Sequence, residues 1–420
     1  MKHILFILIF IGTLNLNAQE QLGLRLENYA GINGISLNPA ANLTNPIQWD
    51  INLLGADFFI ENNYFFIEET NNFDLLKRGR DAGFFSVPDL EGAPPNNSFL
   101  IDYYTDNKKR FGYLNASIAG PSIAVKIGEN QSVGLFTKAR TATGTQNLQN
   151  EFSYYTYDNR PFFAGFPTQP FESAFISWSE IGLNYSVSFP TQKGDLGLGI
   201  SAKLLSGYEA AWFRFEGIGT YEKVSRNSAQ VSELDVSYGF SHSNLIDDPA
   251  DFDLQKNGTG IAFDLGLINI IRGSEKAYDF KLGVSILDLG FINFNKNMAV
   301  YHLQTDSLRL IGGNEYEQYD QLTDLFPASE LFSQQALLNP IASRAGDKFK
   351  LWLPTALSIQ ADYAFTENIF FNVLLIQRFP VPGTIGLNRG NLFAFTPRFE
   401  HRWFSASVPF GIYNWQDFRV

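Results

Sequence analysis

The 420-residue chain carries 43 acidic and 31 basic residues, a formal net charge of −12, and no cysteine. The acidic balance argues against nucleic acid or anionic surfaces as partners of the whole chain, and the missing thiols exclude disulfides, cysteine nucleophiles and thiolate metal sites. Aromatic residues make up 15% and charged residues only 18%, with 35 glycines and a mean hydropathy of −0.10; a transmembrane β-barrel has such averages because lipid-facing and lumen-facing residues cancel in any window.

The N-terminus, "MKHILFILIFIGTLNLNAQEQ", has a basic start at Lys2 and an apolar run from Ile4 to Ile11 that fades by Leu16. Small or polar residues precede Gln19. This layout predicts a secretory signal peptide over 1–18, cut after Ala18. The run is shorter than the ~20 residues a membrane-crossing helix needs. Residues 19–48 are rich in Gly, Asn and Ala and include two Asn-Pro steps, in "GISLNPAANLTNPIQWDINL" (34–53). Proline cannot donate to a ladder and fixes its own φ, so this segment is rigid and irregular. Two readings fit it and are compatible: a plug inside a barrel, or plain tight turns.

From Trp49 onward polar and apolar residues alternate, with a period of two and not the spacing of a helix. Ile181, Leu183, Tyr185, Val187 and Phe189 alternate with Gly182, Asn184, Ser186 and Ser188. Leu196–Leu204 sets Leu, Leu, Ile, Ala, Leu against Gly197, Gly199, Ser201 and Lys203. Leu357–Phe365 and Phe404–Ile412 repeat the pattern, with Ser358, Gln360, Asp362 and Ala364, then Ser405, Ser407, Pro409 and Gly411, on the second face. A soluble sandwich puts charges on its second face. Here that face is small and polar, as a crowded lumen requires.

Connection lengths also alternate. Short links fall at 128–132, 190–195, 222–227, 272–279, 366–368 and 401–402; longer segments lie at 68–110, 147–172, 242–258, 304–349 and 380–391. Outer-membrane barrels have short periplasmic turns and longer outer loops. One strand per remaining stretch places strands at 49–67, 111–127, 133–146, 173–189, 196–206, 211–221, 229–241, 259–271, 280–303, 350–365, 369–379, 391–400 and 403–415. By parity, residues 207–241 give two membrane strands or none, the latter if they form a hairpin rising from an outer loop. An even barrel then predicts about 14 strands, the last one missing beyond Val420 or beginning at Arg419. The expected architecture is an all-β, antiparallel transmembrane barrel over 49–420, with a plug segment at 19–48. Trp49, Phe189, Trp352, Phe379, Trp403 and Trp415 sit at strand ends, where interfacial aromatic girdles belong.

Two loops read as structured. "NNFDLLKRGRDAG" (71–83) has the pattern of a short capped helix with a basic last turn, ending at Gly83. Residues 315–340 space Leu322, Leu325, Phe326, Leu331, Phe332, Leu337 and Leu338 as a helix does; they fold onto the barrel rim or dock a partner. Little suggests catalysis. His3, His242, His302 and His401 share no ligand spacing, "DDPADFD" (247–253) lacks the Gly and distal Glu of a calcium loop, and Ser405 and Ser407 near His401 read as lumen residues. No catalytic residue, metal or cofactor is expected.

"GINGISLNPAANL" resembles the Asn-Pro-Ala box near the mature N-terminus of fatty-acid-transporter-like (FadL-type) outer-membrane barrels, of their PorV-like relatives in type IX secretion, and of a large uncharacterised barrel family of the same bacteria. "GTGIAFDLGLI" (258–268), "KLGVSILDLGFI" (281–292) and "LPTALSIQADYAFTENI" (353–369) are similar to that superfamily's mid-barrel hairpin and late Leu-Pro-Thr strand. The resemblance implies a bacterial outer-membrane location. It also implies that Asn38, Pro39 and Ala40 sit in the plug, with Asn38 bonded to the wall. Outer-membrane lipid is then one partner. Function divides between a carrier of a small hydrophobic ligand, expected to have a greasy pocket behind the plug, and a scaffold that holds a secretion or envelope protein.

Overall fold

Alternation in the sequence becomes the two faces of one wall. The computed structural model describes residues 25, 28–68, 70, 72–79, 81–242, 254–273, 276, 278–319, 325–401 and 403–419; the signal-peptide segment 1–18 and the acidic stretch 247–253 lie outside them. Extended segments join into one large antiparallel sheet. Its passes are β1 (49–62), β2 (110–127), β3 (Gln131–Leu148), β4 (Phe171–Thr191), β5 (Gly194–Phe215), β6 (234–241 and 258–271), β7 (280–305), β8 (344–364), β9 (Ile369–Arg378), β10 (Leu392–His401) and β11 (404–413). Asp417–Arg419 turns back on β11 as the start of β12. Each pass pairs with the next in sequence. The sheet rolls until β1 and β11 are neighbours, with the rings of Phe59 and Tyr413 stacked at 5.1 Å. Among the described residues these two edges meet through side chains and not through a ladder.

The passes are fewer than the thirteen strands read from the sequence, because residues 207–241 add none. Residues 211–215 prolong β5 and pair with 236–240, the upper part of β6. The upper part of β6 ends at Ser241, and Gly258 begins the part that completes it. The short link at 222–227 belongs to a hairpin, Thr220–Lys223 with Ser228–Val231, in a four-stranded sheet beyond the long-loop end. Residues 65–67 leave the wall as well, for a three-stranded sheet with Gly83–Ser86 and Ser98–Tyr103. The helix expected to end at Gly83 spans Asn72–Arg78, closed by the Gly79 amide on the Leu75 carbonyl, and Gly83 instead opens a strand. Helix Leu325–Leu337 lies against the four-stranded sheet, where Gln335 bonds both backbone groups of Gly312.

The outward face is apolar. Ile181, Leu183, Tyr185, Leu198, Ile200, Leu204, Ile359 and Tyr363 are exposed, while Asn184, Ser186, Ser201, Lys203, Ser358 and Asp362 are buried. Water would disfavour such a surface and hydrocarbon favours it, so the alternation has a membrane-spanning orientation. The interior is layered. Toward the long-loop end Ile176, Trp178, Leu205, Trp212, Ile292, Phe294, Met298, Leu351 and Leu387 form an apolar cluster across the lumen. Toward the short-turn end the lumen holds the N-terminal segment, which packs on apolar residues such as Ile268, Ile270 and Phe370 as well as on polar ones.

Candidate functional site

The N-terminal segment folds as two short 3-10 turns, Gly31–Ser36 and Ala41–Thr44, inside the wall. Asn38 lies between them and is buried. Its Nδ2 donates to the Leu267 carbonyl on β6 (3.0 Å), while its Oδ1 accepts from the Ala40 amide (2.9 Å). The Pro39 carbonyl, which no local turn uses, accepts from Asn184 Nδ2 on β4 (3.0 Å). Ser285 Oγ and Gln360 Nε2 both donate to the Leu37 carbonyl. Irregular backbone at membrane depth must have its polar groups satisfied by protein, and the wall's small polar inner face supplies the partners. Two wall glycines make room. A Cβ on Gly199 would lie 2.4 Å from the Ala40 nitrogen, and one on Gly266 2.2 Å from Asn38 Oδ1.

Ionic groups bracket this segment. On its short-turn side, Arg398 pairs with Asp362 (2.8 Å) and Glu400 (2.5 Å), and Lys281 reaches Asp362 at 3.4 Å. Asn28 joins that cluster through Glu400 and Lys281. On the other side, Lys203 bridges Asp264 (2.7 Å) and Asp288 (2.8 Å), and Arg140 pairs with Asp288 (2.9 Å) and more loosely with Glu180 (3.8 Å). Asp288 reaches into this cluster from a bulge in β7, where its φ is +52° and Thr355 Oγ1 donates to its carbonyl. The Arg140 guanidinium also lies over the Trp178 ring, 4.6 Å from its centroid. The 379–391 loop folds inward above this layer: Arg214 holds the Thr384 carbonyl, and Leu387 joins the apolar cluster.

Between the N-terminal segment and this ionic layer lies a cavity of about 300 Å³. It is lined by inward groups, among them Asp57, Lys138, Arg140 and Lys203, and also by Leu54 and Thr137. Leu54 is 74% exposed, and Thr137 shares the strand face of exposed Val133 and Leu135. Here β1 and β2 break at one level: Asn52 pairs with Ser122 and Gly55 with Ala119, leaving Leu53–Leu54 opposite Gly120–Pro121 out of register contact. Side chains satisfy the freed carbonyls. Asn52 and Ser122 donate to Gly120, and Thr137 donates to Pro121. The cavity therefore reaches the outer face of the wall at the break. It is charged, in contrast to the greasy pocket expected of a carrier.

The aromatic residues singled out at strand ends fall at two levels. Trp49, Phe189 and Trp403 lie at the short-turn end; Phe379 and Trp415 lie at the long-loop end, and all five are exposed. Trp352, also toward the long-loop end, is half-buried against Phe291, at 5.2 Å between centroids. None of these aromatics lines the cavity. The cavity's own residues were less visible in the sequence. Lys203 stood out on an inner strand face, but Lys138, Arg140, Asp264 and Asp288 did not. Their signal is phase: Lys138 and Arg140 share the inward parity of Ser132, Gly134 and Phe136.

A family model described as "Family of unknown function (DUF5723)" matches residues 39–420. No curated protein matches the chain. Among solved structures it is similar to a crystal structure of a Pseudomonas aeruginosa FadL homologue, at 8% identity over 89% of this chain and 83% of that one, with a TM-score of 0.20.

Proposed function

The chain belongs to DUF5723, a family of unknown function, and from that footing we propose that it is a bacterial outer-membrane barrel carrying a small hydrophobic or amphiphilic molecule between its interior and the surrounding lipid. One observation supports this reading above the others: the cavity meets the lipid-facing surface at the paired break in β1 and β2. Along the barrel axis, the N-terminal segment occupies the short-turn half, and the apolar cluster with the inward 379–391 loop narrows the other. A cleft whose mouth opens where water is absent favours molecules that already partition into the bilayer. A signal peptide over 1–18 and export to the outer membrane belong to the same reading. No step in it calls for catalysis, a metal or a cofactor.

The long-loop end favours a second reading, a scaffold for a secretion or envelope protein of the type IX kind. It carries two small sheets and helix Leu325–Leu337, and leaves Leu308, Leu310, Leu338 and Ile341 exposed. Native mass spectrometry of the full-length protein, gently extracted from its own outer membrane, separates the two. A co-purifying lipid or apolar molecule of defined mass supports the carrier. A bound protein with an empty lumen overturns it in favour of the scaffold.

A further inference from the structure

The outer surface of β6, β7 and β8 changes character in rows as it nears the long-loop end. Exposed Phe263 and Leu265 give way to a row of Ile261, Phe291 and Trp352, paired in register across the three passes. The next row is Thr259, Asn293 and Lys350. Beyond it come Lys348, Lys296 and Lys256, exposed like Lys350. The Asn257 carbonyl accepts from the Asn295 and Lys296 amides (3.1 and 3.3 Å), which sets Lys256 beside Lys296. Among the described residues none of the four ammonium groups pairs with a carboxylate, and Lys350 Nζ lies over the Phe291 ring, 4.2 Å from its centroid. Further along β7, Ala299, Tyr301 and Leu303 are covered by helix Leu325–Leu337. The lysines therefore form a ledge between an apolar wall and a protein rim, and reverse the sign of an acidic chain.

We propose that this ledge binds the phosphate of a lipid in the leaflet on the long-loop side. Its acyl chains lie along Ile261, Phe263 and Leu265, and its phosphate meets Lys350, Lys348 and Lys296. The inference rests on the membrane-spanning orientation of the wall and is independent of anything the lumen carries. The order apolar, aromatic, basic is that of a bilayer boundary: aromatic rings belong at head-group depth, and lysine stems extend along apolar surface to place their charge beyond it. Clustered lysines at that level attract anionic head groups. A soluble anion would meet only hydrated, exposed ammonium groups, whereas chains held on the wall deliver a lipid phosphate at high effective concentration.

The test is native mass spectrometry of the full chain in a neutral detergent, with equal amounts of dioleoyl phosphatidate and dioleoyl phosphatidylcholine. Wild type should retain phosphatidate about tenfold more than phosphatidylcholine, since each lysine near the phosphate is worth about fivefold. The triple change Lys296→Gln, Lys348→Gln and Lys350→Gln should abolish the preference. Lys193→Gln, an exposed lysine in the 190–195 turn at the other end, should keep it. Retarded migration of unheated samples on gels reports an assembled barrel for each. Equal retention of the two lipids by wild type overturns the proposal, as does a preference that survives the triple change. If inorganic phosphate strips the phosphatidate, the ledge holds a soluble anion and the lipid assignment is overturned. Failure of the membrane orientation reads differently: neither lipid is retained, and the chain does not float with phosphatidylcholine vesicles.

Discussion

Lys203 and Asp288 meet on the lumenal face of the wall at 2.8 Å, though they are 85 residues apart and sit on β5 and β7. Lys203 also holds Asp264 on the strand between them. Three consecutive passes are thus tied from inside, independently of their backbone ladders. Lys203→Met should leave Asp264 without an ion-pair partner among the described residues, while Asp288 keeps Arg140. Breaking a buried pair this way costs about 3–5 kcal/mol. The expected outcome is a lower urea midpoint for the refolded barrel, partly restored by the added change Asp264→Asn. An unchanged midpoint would mean that water already screens the cluster.

Asn38→Ala removes one donor to the wall and one acceptor for the segment's own turn. The buried Ala40 amide loses its acceptor, at about 1–3 kcal/mol, and the Leu267 carbonyl keeps its strand but loses its bond to the segment. Hydrogen exchange should speed up at residues 31–45 while the amides of β4 to β7 stay protected. An unassembled product would show instead that the segment is part of what makes the wall fold.

Gly199→Leu tests the same contact from the wall side. Its Cβ would meet the backbone of Pro39 and Ala40 at 2.4 Å, and backbone cannot step aside as a flexible side chain can. The prediction is that the N-terminal segment becomes sensitive to added protease and the barrel remains heat-modifiable on gels. Protection equal to wild type would place the segment elsewhere.

Leu54→Trp should narrow the mouth of the cavity without touching its charges, since Leu54 is an exposed residue at the break. Under the carrier reading, association of an amphiphilic probe slows several-fold and the affinity of a short-chain analogue changes little. Stopped-flow fluorescence of the wild type and the variant would decide it, and equal rates would remove the break from the route.

Outside the wall, Tyr154 and Tyr155 donate to Asp89 (2.7 Å) and Asp102 (2.6 Å). The hydrogen bond to each carboxylate favours the neutral phenol and pushes both up to about 12. An ultraviolet alkaline titration should therefore show these two ionising well above the ordinary tyrosine range near 10. Asp102→Asn should bring one of them back down. Because the phenols are raised in the folded protein, this contribution is full below pH ~10 and is lost as pH rises toward 12.

The wall was legible because one physical rule repeats along it: a residue facing lipid is apolar, and its neighbour facing the lumen is small or polar. Ile181–Phe189 and Leu196–Leu204 declare their faces without any long-range information, and the structure exposes the face that the sequence marks as apolar. Residues 207–241 were ambiguous because a strand that continues beyond the membrane alternates just as one inside it does, so period alone could not separate β5 and its extension from two passes. The cavity was harder still. Nothing local says that Leu53–Leu54 and Gly120–Pro121, nearly 70 residues apart, break at the same height. That coincidence depends on register, which pairing between strands sets. The apolar cluster was hidden for a related reason, since Ile176, Trp178 and Leu351 look like any outward residue until phase is counted from a known face.

The N-terminal segment is held by bonds of very long sequence separation: Asn28 to Glu400 spans 372 residues, and Leu37 to Gln360 spans 323. It touches wall strands from both halves of the chain, so it cannot be threaded into a finished cylinder without breaking and remaking most of those bonds. The simpler order of events is that the sheet wraps around it, with the segment acting as a core former on which the later strands are laid. Contacts of such separation are slow to form. Deleting residues 28–45 should therefore be felt first during biogenesis, as delayed assembly of β7 to β11, and only afterwards as an altered interior in the mature protein.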